Sequence, residues 1–180
     1  MNIETSRLIL SEVSWDDVDD IHHLHSIAEV DEYNTLGIPA SEVETREIIR
    51  PVMEDQQSEC RKLYMWKIVR KIEGNFIGVA GLILSADRFR LGEIYYKLLP
   101  SSWGHGYATE VGRALIKSGF EHFKLHKIEA GVATENEKSV RVLEKLSMLR
   151  EGVRRKILPI RGEWKDSYHY GIVEDDRRNY

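Results

Sequence analysis

The chain has 180 residues, of which 42% are hydrophobic and 31% charged, and its formal net charge is −4. This composition is typical of a single globular domain over residues 1–180, and the negative balance argues against direct nucleic-acid binding, which needs a basic surface. The single cysteine, Cys60, excludes an internal disulfide, and no apolar run approaches the roughly 20 residues that span a bilayer, so we expect a cytoplasmic protein with no membrane partner.

The first predicted elements are a strand over residues 7–13 and a helix over 15–24 with Ser14 as its N-cap. The helix positions expected to face the core are Trp15, Val18, Ile21 and Leu24. Three histidines on or beside this helix lack a metal-binding spacing, because adjacent helical positions point about 100° apart. We therefore interpret His22, His23 and His25 as helix-surface residues.

The next segment, residues 29–62, is predicted to contain a polar connection and one helix. The connection covers 29–39, and the helix covers 41–57 with Ser41 as its N-cap. Pro51 lies inside this helix and is expected to kink or split it, because proline lacks the N–H that an α-helix requires.

The remaining elements alternate between strands and helices. Apolar patterns and turn residues predict strands over 63–69, 76–84, 91–99 and 127–133, a helix ending near residue 123, and a closing hairpin of 150–158 and 164–173. A further helix starts at Asn136 and carries Val140, Leu143 and Leu146 on one face.

A glycine turn over 101–110 joins the strand ending at residue 99 to the following helix. Amides at a helix start lack carbonyl partners, so this turn is suited to an anion, and Gly104 and Gly106 allow a close approach of the main chain. The turn lacks the Gly-Lys-Ser/Thr of a nucleotide-hydrolysis loop and, at Thr109, the third glycine of a dinucleotide fingerprint. From the residues alone, a pyrophosphate site and a simple tight connection both stay open.

The octet Trp103–Glu110 resembles the coenzyme-A loop of the GNAT superfamily of N-acetyltransferases, and it is most similar to the RimJ/RimL branch that acetylates ribosomal-protein N-termini. The similarity continues in order and spacing through 74–78, 93–96, 136–139, 143–146, 151–152 and the pair Asp166 and Tyr170. One departure is Ser147-Met148, where the family usually has Gly-Phe, which puts the local turn and its packing in question. Residues 29–62 resemble no segment that is recognisable from the family. In such enzymes this region shapes the acceptor site.

The resemblance implies an α+β GNAT fold, with a mixed and mainly antiparallel central sheet of about seven strands and helices on both faces. It implies acetyl-CoA as co-substrate, no metal, and an opening between two splayed strands that admits the thioester. Main-chain amides of His105, Gly106, Ala108 and Thr109 would hold the pyrophosphate. The main chain of Tyr96, Lys97 and Leu98 would pair with the pantetheine arm, and the Leu98 N–H would bind the oxyanion.

Four side chains receive further roles from the resemblance. Asn136 is expected both to cap its helix and to contact the cofactor arm, and Ser139 to donate a hydrogen bond to the departing sulfur. Glu93 is the candidate base, acting through water, although an exposed strand carboxylate without a catalytic role is an equal interpretation. Asp166 is expected to orient the last hairpin.

The acceptor is expected to be the N-terminal α-amine of a protein or peptide, a ribosomal protein included. An α-amine has a pKa of about 7.7 to 8.0 against about 10.4 for lysine, so it is easier to deprotonate near neutral pH. A small amine such as a polyamine or aminoglycoside is the alternative, which acids at 16–20 and 29–32 would favour. An acyl-CoA-binding module without catalysis is the alternative from another class, and the oligomeric state, including a homodimer, stays open.

Overall fold

A computed structural model describes residues 1–176 of the chain. Within this range there are eight strands and five α-helices. The strands are β1 (Ile3–Glu4), β2 (Leu8–Glu12), β3 (Leu63–Arg70), β4 (Phe76–Leu84), β5 (Leu91–Leu98), β6 (Lys127–Ala133), β7 (Leu149–Ile160) and β8 (Glu163–Val173). The helices are α1 (Val18–His25), α2 (Ala28–Asp31), α3 (Glu42–Asp55), α4 (Tyr107–Glu121) and α5 (Glu137–Lys145).

All eight strands of the described chain form one sheet in the order β1-β2-β3-β4-β5-β6-β8-β7. Neighbouring strands are antiparallel except β5 and β6, which are parallel. The α+β class and the mixed, mainly antiparallel sheet are therefore confirmed. The sheet has one strand more than the predicted seven. The additional strand is β1, whose two residues are too few to show an alternating hydrophobic pattern in the sequence.

Helices cover both faces of the sheet, as predicted. On one face, Trp66 of β3 and Leu82 of β4 share a buried cluster with Val111 and Leu115 of α4. On the other face, a second cluster joins α1 and α3 to the sheet through Val18, Ile21, Leu24, Ile49, Met65 and Val79. The alternation of neighbouring residues such as Met65 and Trp66 between the two clusters follows from the two-residue period of a strand.

Several local predictions are corrected by the structure. Trp15 lies in a 3-10 turn before α1, where its indole is 38% exposed under Arg46 at 5.8 Å, so its predicted core position was wrong. Pro51 lies inside α3, which runs without interruption from Glu42 to Asp55, so the helix is not split there. The connection predicted over 29–39 begins with α2 instead.

No helix in residues 1–176 combines the length and the apolar character needed to cross a bilayer.

The parallel pairing between β5 and β6 is short. It joins Leu91–Glu93 to Lys127–Glu129, whereas β5 stays paired with β4 as far as Leu98. Beyond Glu93 the two parallel strands therefore diverge and leave an opening in the sheet.

Candidate active site

The main chain of β5 presents hydrogen-bonding groups to this opening. The bonds from Ser85 N–H to Leu91 O, 2.9 Å, and from Leu99 N–H to Ile77 O, 2.8 Å, show that odd-numbered residues of β5 pair with β4. Even-numbered residues consequently direct their main-chain groups toward β6, and past Glu93 no strand of the described chain pairs with them. Tyr96 and Leu98 thus face the opening, while the main chain of Lys97 is paired with Val79, so the predicted use of the Lys97 main chain is corrected.

The turn that follows β5 ends in the first residues of α4. Gly104 and Gly106 have φ values of 78° and 79°, in the left-handed region that favours glycine. The first helical bond runs from Glu110 N–H to Gly106 O at 3.0 Å, so the amides of Ala108 and Thr109 precede any intrahelical carbonyl partner. A Cβ added at Gly104 would meet nothing within 4 Å. The turn therefore combines unpaired amides with open space beside them, which suits a pyrophosphate.

Side chains on both sides of the turn hold it in place. The Trp103 indole donates from Nε1 to Leu98 O at 2.8 Å, and His105 Nδ1 lies 2.7 Å from Trp103 O. The rings of His105 and Tyr107 stack at 5.8 Å, and the Lys138 ammonium lies 4.4 Å above the Trp103 ring. The turn is thereby connected to β5 and to the first turn of α5.

Glu110 is a structural residue of this turn that the sequence reasoning missed. Its carboxylate accepts hydrogen bonds from Thr5 Oγ1 at 2.6 Å, Ser6 Oγ at 3.0 Å and Arg7 N–H at 2.9 Å, and Arg7 NH2 pairs with it at 2.7 Å. Arg7 NH1 also donates to His105 O at 3.0 Å. Burial acts to raise the pKa of Glu110, but the hydrogen bonds from Thr5 and Arg7 outweigh it and lower the pKa. The turn before β2 is thus fixed to the start of α4.

Asn136 and Ser139 lie at the start of α5, as predicted. Asn136 Oδ1 accepts from Ser139 N–H at 3.1 Å, so the expected N-cap is present, and its amide NH2 group is not used by the cap. On the neighbouring strand β5, burial raises the pKa of the Tyr96 hydroxyl to about 12.

Glu93 lies where β5 and β6 diverge, on the sheet face opposite α4. It is exposed, and a Cβ added at Gly131 of β6 would be 3.7 Å from its Oε1. The next carboxylate in register, Glu129, has Lys127 at 3.0 Å and His169 at 3.2 Å. Burial acts to raise the pKa of Glu129, but Lys127 and His169 lower it overall. Glu93 is therefore the carboxylate with room to reach a ligand.

Glu129, His169 and Glu151 of β7 bring their ligand atoms within 4.8 Å of one another. The Lys127 ammonium lies 3.0 Å from Glu129 and 2.7 Å from Glu151, so a protein cation already neutralises both carboxylates. The acidic and basic side chains of this cluster therefore form an ion-pair network.

A polar cluster under α1 and α2 was also missed from the sequence. Burial lowers the pKa of Lys97 to about 8, with Asp31 opposing the shift, and burial together with the Lys97 charge lowers the pKa of His25 to about 4. Arg161 Nε lies 3.6 Å from Asp31 Oδ2.

His25 is buried, so its predicted place on the helix surface was wrong, whereas His23 is exposed. The helical period could have placed His25 on the buried face, because it follows Ile21 by four residues and Val18 by seven. Its partner Lys97 comes from a distant strand and has no such signal.

Asp166 accepts from Lys156 N–H at 2.8 Å, and its own carbonyl accepts from Thr134 N–H at 3.1 Å. These bonds fix the β7–β8 hairpin against the residue that follows β6, which agrees with the orienting role expected for Asp166.

Residues 7–149 match the family described as the acetyltransferase (GNAT) domain. The chain is 32% identical over 172 residues to the uncharacterised N-acetyltransferase YoaA of Bacillus subtilis, with 96% of each chain covered. A GNAT-family acetyltransferase from Bacillus anthracis superposes with a TM-score of 0.83 at 30% identity, over 98% of this chain and 100% of that one.

Two more distant structures share the fold. The spermidine N-acetyltransferase of Vibrio cholerae, solved with CoA and spermine, has a TM-score of 0.83 at 24% identity over 94% of this chain and 97% of that one. The ribosomal-protein-S5-alanine acetyltransferase of Vibrio fischeri has a TM-score of 0.82 at 21% identity over 99% of this chain and 100% of that one.

The opened sheet, the glycine turn and the sequence match together define an acyltransferase that uses a coenzyme-A thioester. The chain belongs to the GNAT acetyltransferase family. It is an acetyl-CoA-dependent N-acetyltransferase, and acetyl-CoA is its co-substrate. The matches to N-acetyltransferases therefore favour an enzyme over the alternative of a binding module without catalysis.

Proposed function

We propose that this enzyme acetylates the N-terminal α-amine of a protein or peptide, as RimJ/RimL-like enzymes do. The observation that carries the proposal is the charge on the acceptor side of β5. The buried Lys97 adds a positive charge there, while the charge of Arg161 is balanced by Asp31 at 3.6 Å. Positive charge in this region disfavours a polycation such as spermidine and tolerates a peptide, which carries a single terminal ammonium.

The coenzyme is held by main-chain groups in this proposal. Amides of His105, Gly106, Ala108 and Thr109 bind the pyrophosphate, since the amides at the start of α4 have no intrahelical carbonyl partner and the helix start adds partial positive charge. Tyr96 and Leu98 offer main-chain groups to the amide-rich arm, because they face the opening beside β6. The amide of Asn136 that is not used by the helix cap supplies a further contact.

When bound, acetyl-CoA supplies an acetyl carbon activated by its thioester. Glu93 accepts the proton of the attacking amine through water, because it is the exposed carboxylate at the point where the strands diverge. The amine nitrogen forms the bond to the acetyl carbon, the carbon–sulfur bond breaks, and its electron pair stays on sulfur. The Leu98 N–H stabilises the oxygen that gains charge, and the Ser139 hydroxyl donates to the sulfur.

A surface cavity of about 320 Å³ lies beside Arg161, and we place the outer part of the acceptor site there. It is lined by the acids Glu32, Glu135 and Glu163, the bases Arg161 and Lys165, and the uncharged residues Tyr33 and Ile160. Walls of mixed charge suit the alternating donors and acceptors of a peptide backbone. The three carboxylates also support the second candidate, a polyamine acceptor, which would place its additional ammonium groups against them.

The two acceptor classes are separated by a matched panel. Purified enzyme and acetyl-CoA are incubated with short peptides that have a free N-terminus, with the same peptides blocked at the N-terminus but carrying an internal lysine, and with spermidine. Products are located by mass spectrometry. We expect acetyl on the α-amine of the unblocked peptides and little on the blocked ones. Transfer to spermidine with none to any peptide would overturn the α-amine proposal and favour the second candidate.

A further inference from the structure

Most glycines inside the strands are required by packing. Glycine weakens a strand, because it has no side chain to pack and loses more backbone freedom on folding than other residues, so each one needs a reason. At four strand positions an added Cβ would lie 2.7 Å or less from another heavy atom of the protein. These positions are Gly78, Gly81, Gly92 and Gly171. Close packing therefore explains their lack of a side chain.

Gly131, in the middle of β6, has no such explanation. An added Cβ would lie 3.5 Å from Ser167 Oγ and 3.7 Å from Glu93 Oε1, which is ordinary contact. Apart from its neighbours in the chain, no other heavy atom of residues 1–176 comes within 4 Å of that position. The φ of Gly131 is outside the left-handed region, and β6 pairs with β8 without a register shift. A strand glycine that neither packing nor backbone requires points to the close approach of a ligand.

Gly131 borders the opening between β5 and β6 on the acceptor side. It follows Glu129, the last residue of β6 that pairs with β5, by two positions. Its chain neighbours Ala130 and Val132 are buried in the core cluster that contains α4, whereas Gly131 is exposed. Because side chains alternate along a strand, Gly131 faces away from α4, on the same side of the sheet as Glu93.

We propose that Gly131 is a specificity-determining residue: its missing side chain leaves the space that the acceptor's amine nitrogen and the carbon attached to it occupy. This inference rests on the proposed function, in which the acceptor reaches the thioester on the face of Glu93. Two oxygen atoms border the space, Glu93 Oε1 and Ser167 Oγ, and both can accept hydrogen bonds from N–H groups. The Ser167 hydroxyl has only one proton, and main-chain carbonyls take it, with Tyr168 O at 3.1 Å and Val132 O at 3.3 Å. Ser167 Oγ is thus an acceptor toward the space.

The test is steady-state kinetics of Gly131→Ala and Gly131→Val, with Gly152→Ala and Gly152→Val as matched controls. Gly152 is a glycine of β7 whose φ is also outside the left-handed region, and an added Cβ there would meet nothing within 4 Å. Gly131 and Gly152 pair with His169 from opposite sides of β8, so they lie about 10 Å apart, two strand spacings. The controls therefore add a side chain to the same row of the sheet without filling the space above Gly131.

We expect Gly131→Ala to lower kcat/KM for the amine about tenfold and Gly131→Val about a hundredfold, since a misfit of one methylene group costs about tenfold or more. The KM for acetyl-CoA should stay unchanged, because Gly131 faces away from α4. The pH profile of Gly131→Ala should also match the wild type, because its Cβ would be 3.7 Å from Glu93 Oε1 and would not displace that carboxylate. Both Gly152 variants should resemble the wild type in all three measurements.

A pair of peptides separates lost space from general damage. The two peptides differ only in their first residue, which is glycine in one and leucine in the other. Gly131→Ala should lose more kcat/KM with the leucine peptide, whose amine-bearing carbon is branched. An unchanged kcat/KM for both peptides would overturn the inference, and so would an equal loss in the Gly152 variants.

Failure of the proposed acceptor class gives a different result. Should the wild type acetylate spermidine and no peptide, the α-amine proposal falls, and the role of Gly131 is then decided with spermidine. A tenfold loss of kcat/KM in Gly131→Ala, with the Gly152 variants unchanged, would support the role of Gly131. The same kcat/KM in Gly131→Ala and the wild type would overturn it.

Discussion

Replacement of Glu110 tests whether the start of α4 depends on the turn before β2. The carboxylate of Glu110 accepts from Thr5 Oγ1 at 2.6 Å, from Arg7 N–H at 2.9 Å and from Arg7 Nε at 2.7 Å. A hydrogen bond to a charged acceptor contributes about 1.5 to 3 kcal/mol. The side chain of Arg7 is 48% exposed and can be rehydrated, and Thr5 Oγ1 also contacts Leu8 O at 3.2 Å, so the full sum is not lost.

The expected loss in the free energy of unfolding is about 2 to 4 kcal/mol for Glu110→Ala and about 1 to 2 kcal/mol for Glu110→Gln, which keeps one acceptor oxygen. Urea unfolding followed by circular dichroism measures both. Glu121→Ala is the control, since Glu121 is exposed at the other end of the same helix. The affinity for acetyl-CoA should fall in both Glu110 variants, because Arg7 also holds His105 O in the coenzyme turn.

The pH dependence gives an independent check on the Glu110 contacts. The pKa of Glu110 is lowered in the folded protein from its ordinary value of 4.5, so the folded state binds this proton less readily than the unfolded chain. The stabilisation is therefore present above pH 4.5 and is lost as the pH falls through the lowered pKa. The difference between wild type and Glu110→Gln should shrink over that range. A Glu110→Ala protein as stable as Glu121→Ala would refute the reasoning.

Three further predictions concern the coenzyme turn, the base and the buried histidine. Gly106→Val should abolish acetyl-CoA binding in calorimetry, because φ of 79° is strained for a β-branched residue, and retained affinity would contradict the turn assignment. Glu93→Gln should lower turnover about a hundredfold and shift its pH profile, whereas an unchanged profile removes Glu93 as base. The pKa of His25 is 6.5 in the unfolded chain and about 4 in the folded protein, so wild type should lose about 3 kcal/mol of stability relative to His25→Asn as the pH falls from 6.5 to 4. Equal pH slopes of stability in wild type, His25→Asn and the control His23→Asn would count against this prediction.

The coenzyme turn was predictable because its signals are local. Glycine turns and helix caps are determined by residues that are close in the sequence. The left-handed φ values of Gly104 and Gly106 and the N-cap at Asn136 agree with the prediction. The fold followed from the order of strands and helices together with the family resemblance. Ser147-Met148, which replaces the usual Gly-Phe of the family, keeps the same local structure. Ser147 adopts a left-handed φ of 61°, and Met148 is buried.

Long-range polar pairing was not predictable from the sequence. The bond between Thr5 and Glu110 joins residues 105 apart in the chain, and no hydrophobic period marks either partner. The contact of His25 with Lys97 is a similar case, because Lys97 comes from β5, far along the chain. Trp15 was misplaced because the first turn is 3-10 rather than α, which rotates its side chain away from the predicted stripe.

The brief parallel contact of β5 with β6 has a mechanical consequence. Lateral continuity of the sheet is weakest from Tyr96 to Leu98, where β5 has β4 on one side and an opening on the other. In the proposed binding mode, the amides of the acyl donor would pair with β5 along this opening and take the place of a missing strand. Saturation with the donor would then add RT ln(1 + [L]/Kd) to the free energy of unfolding, so the loaded enzyme would resist unfolding more than the empty one.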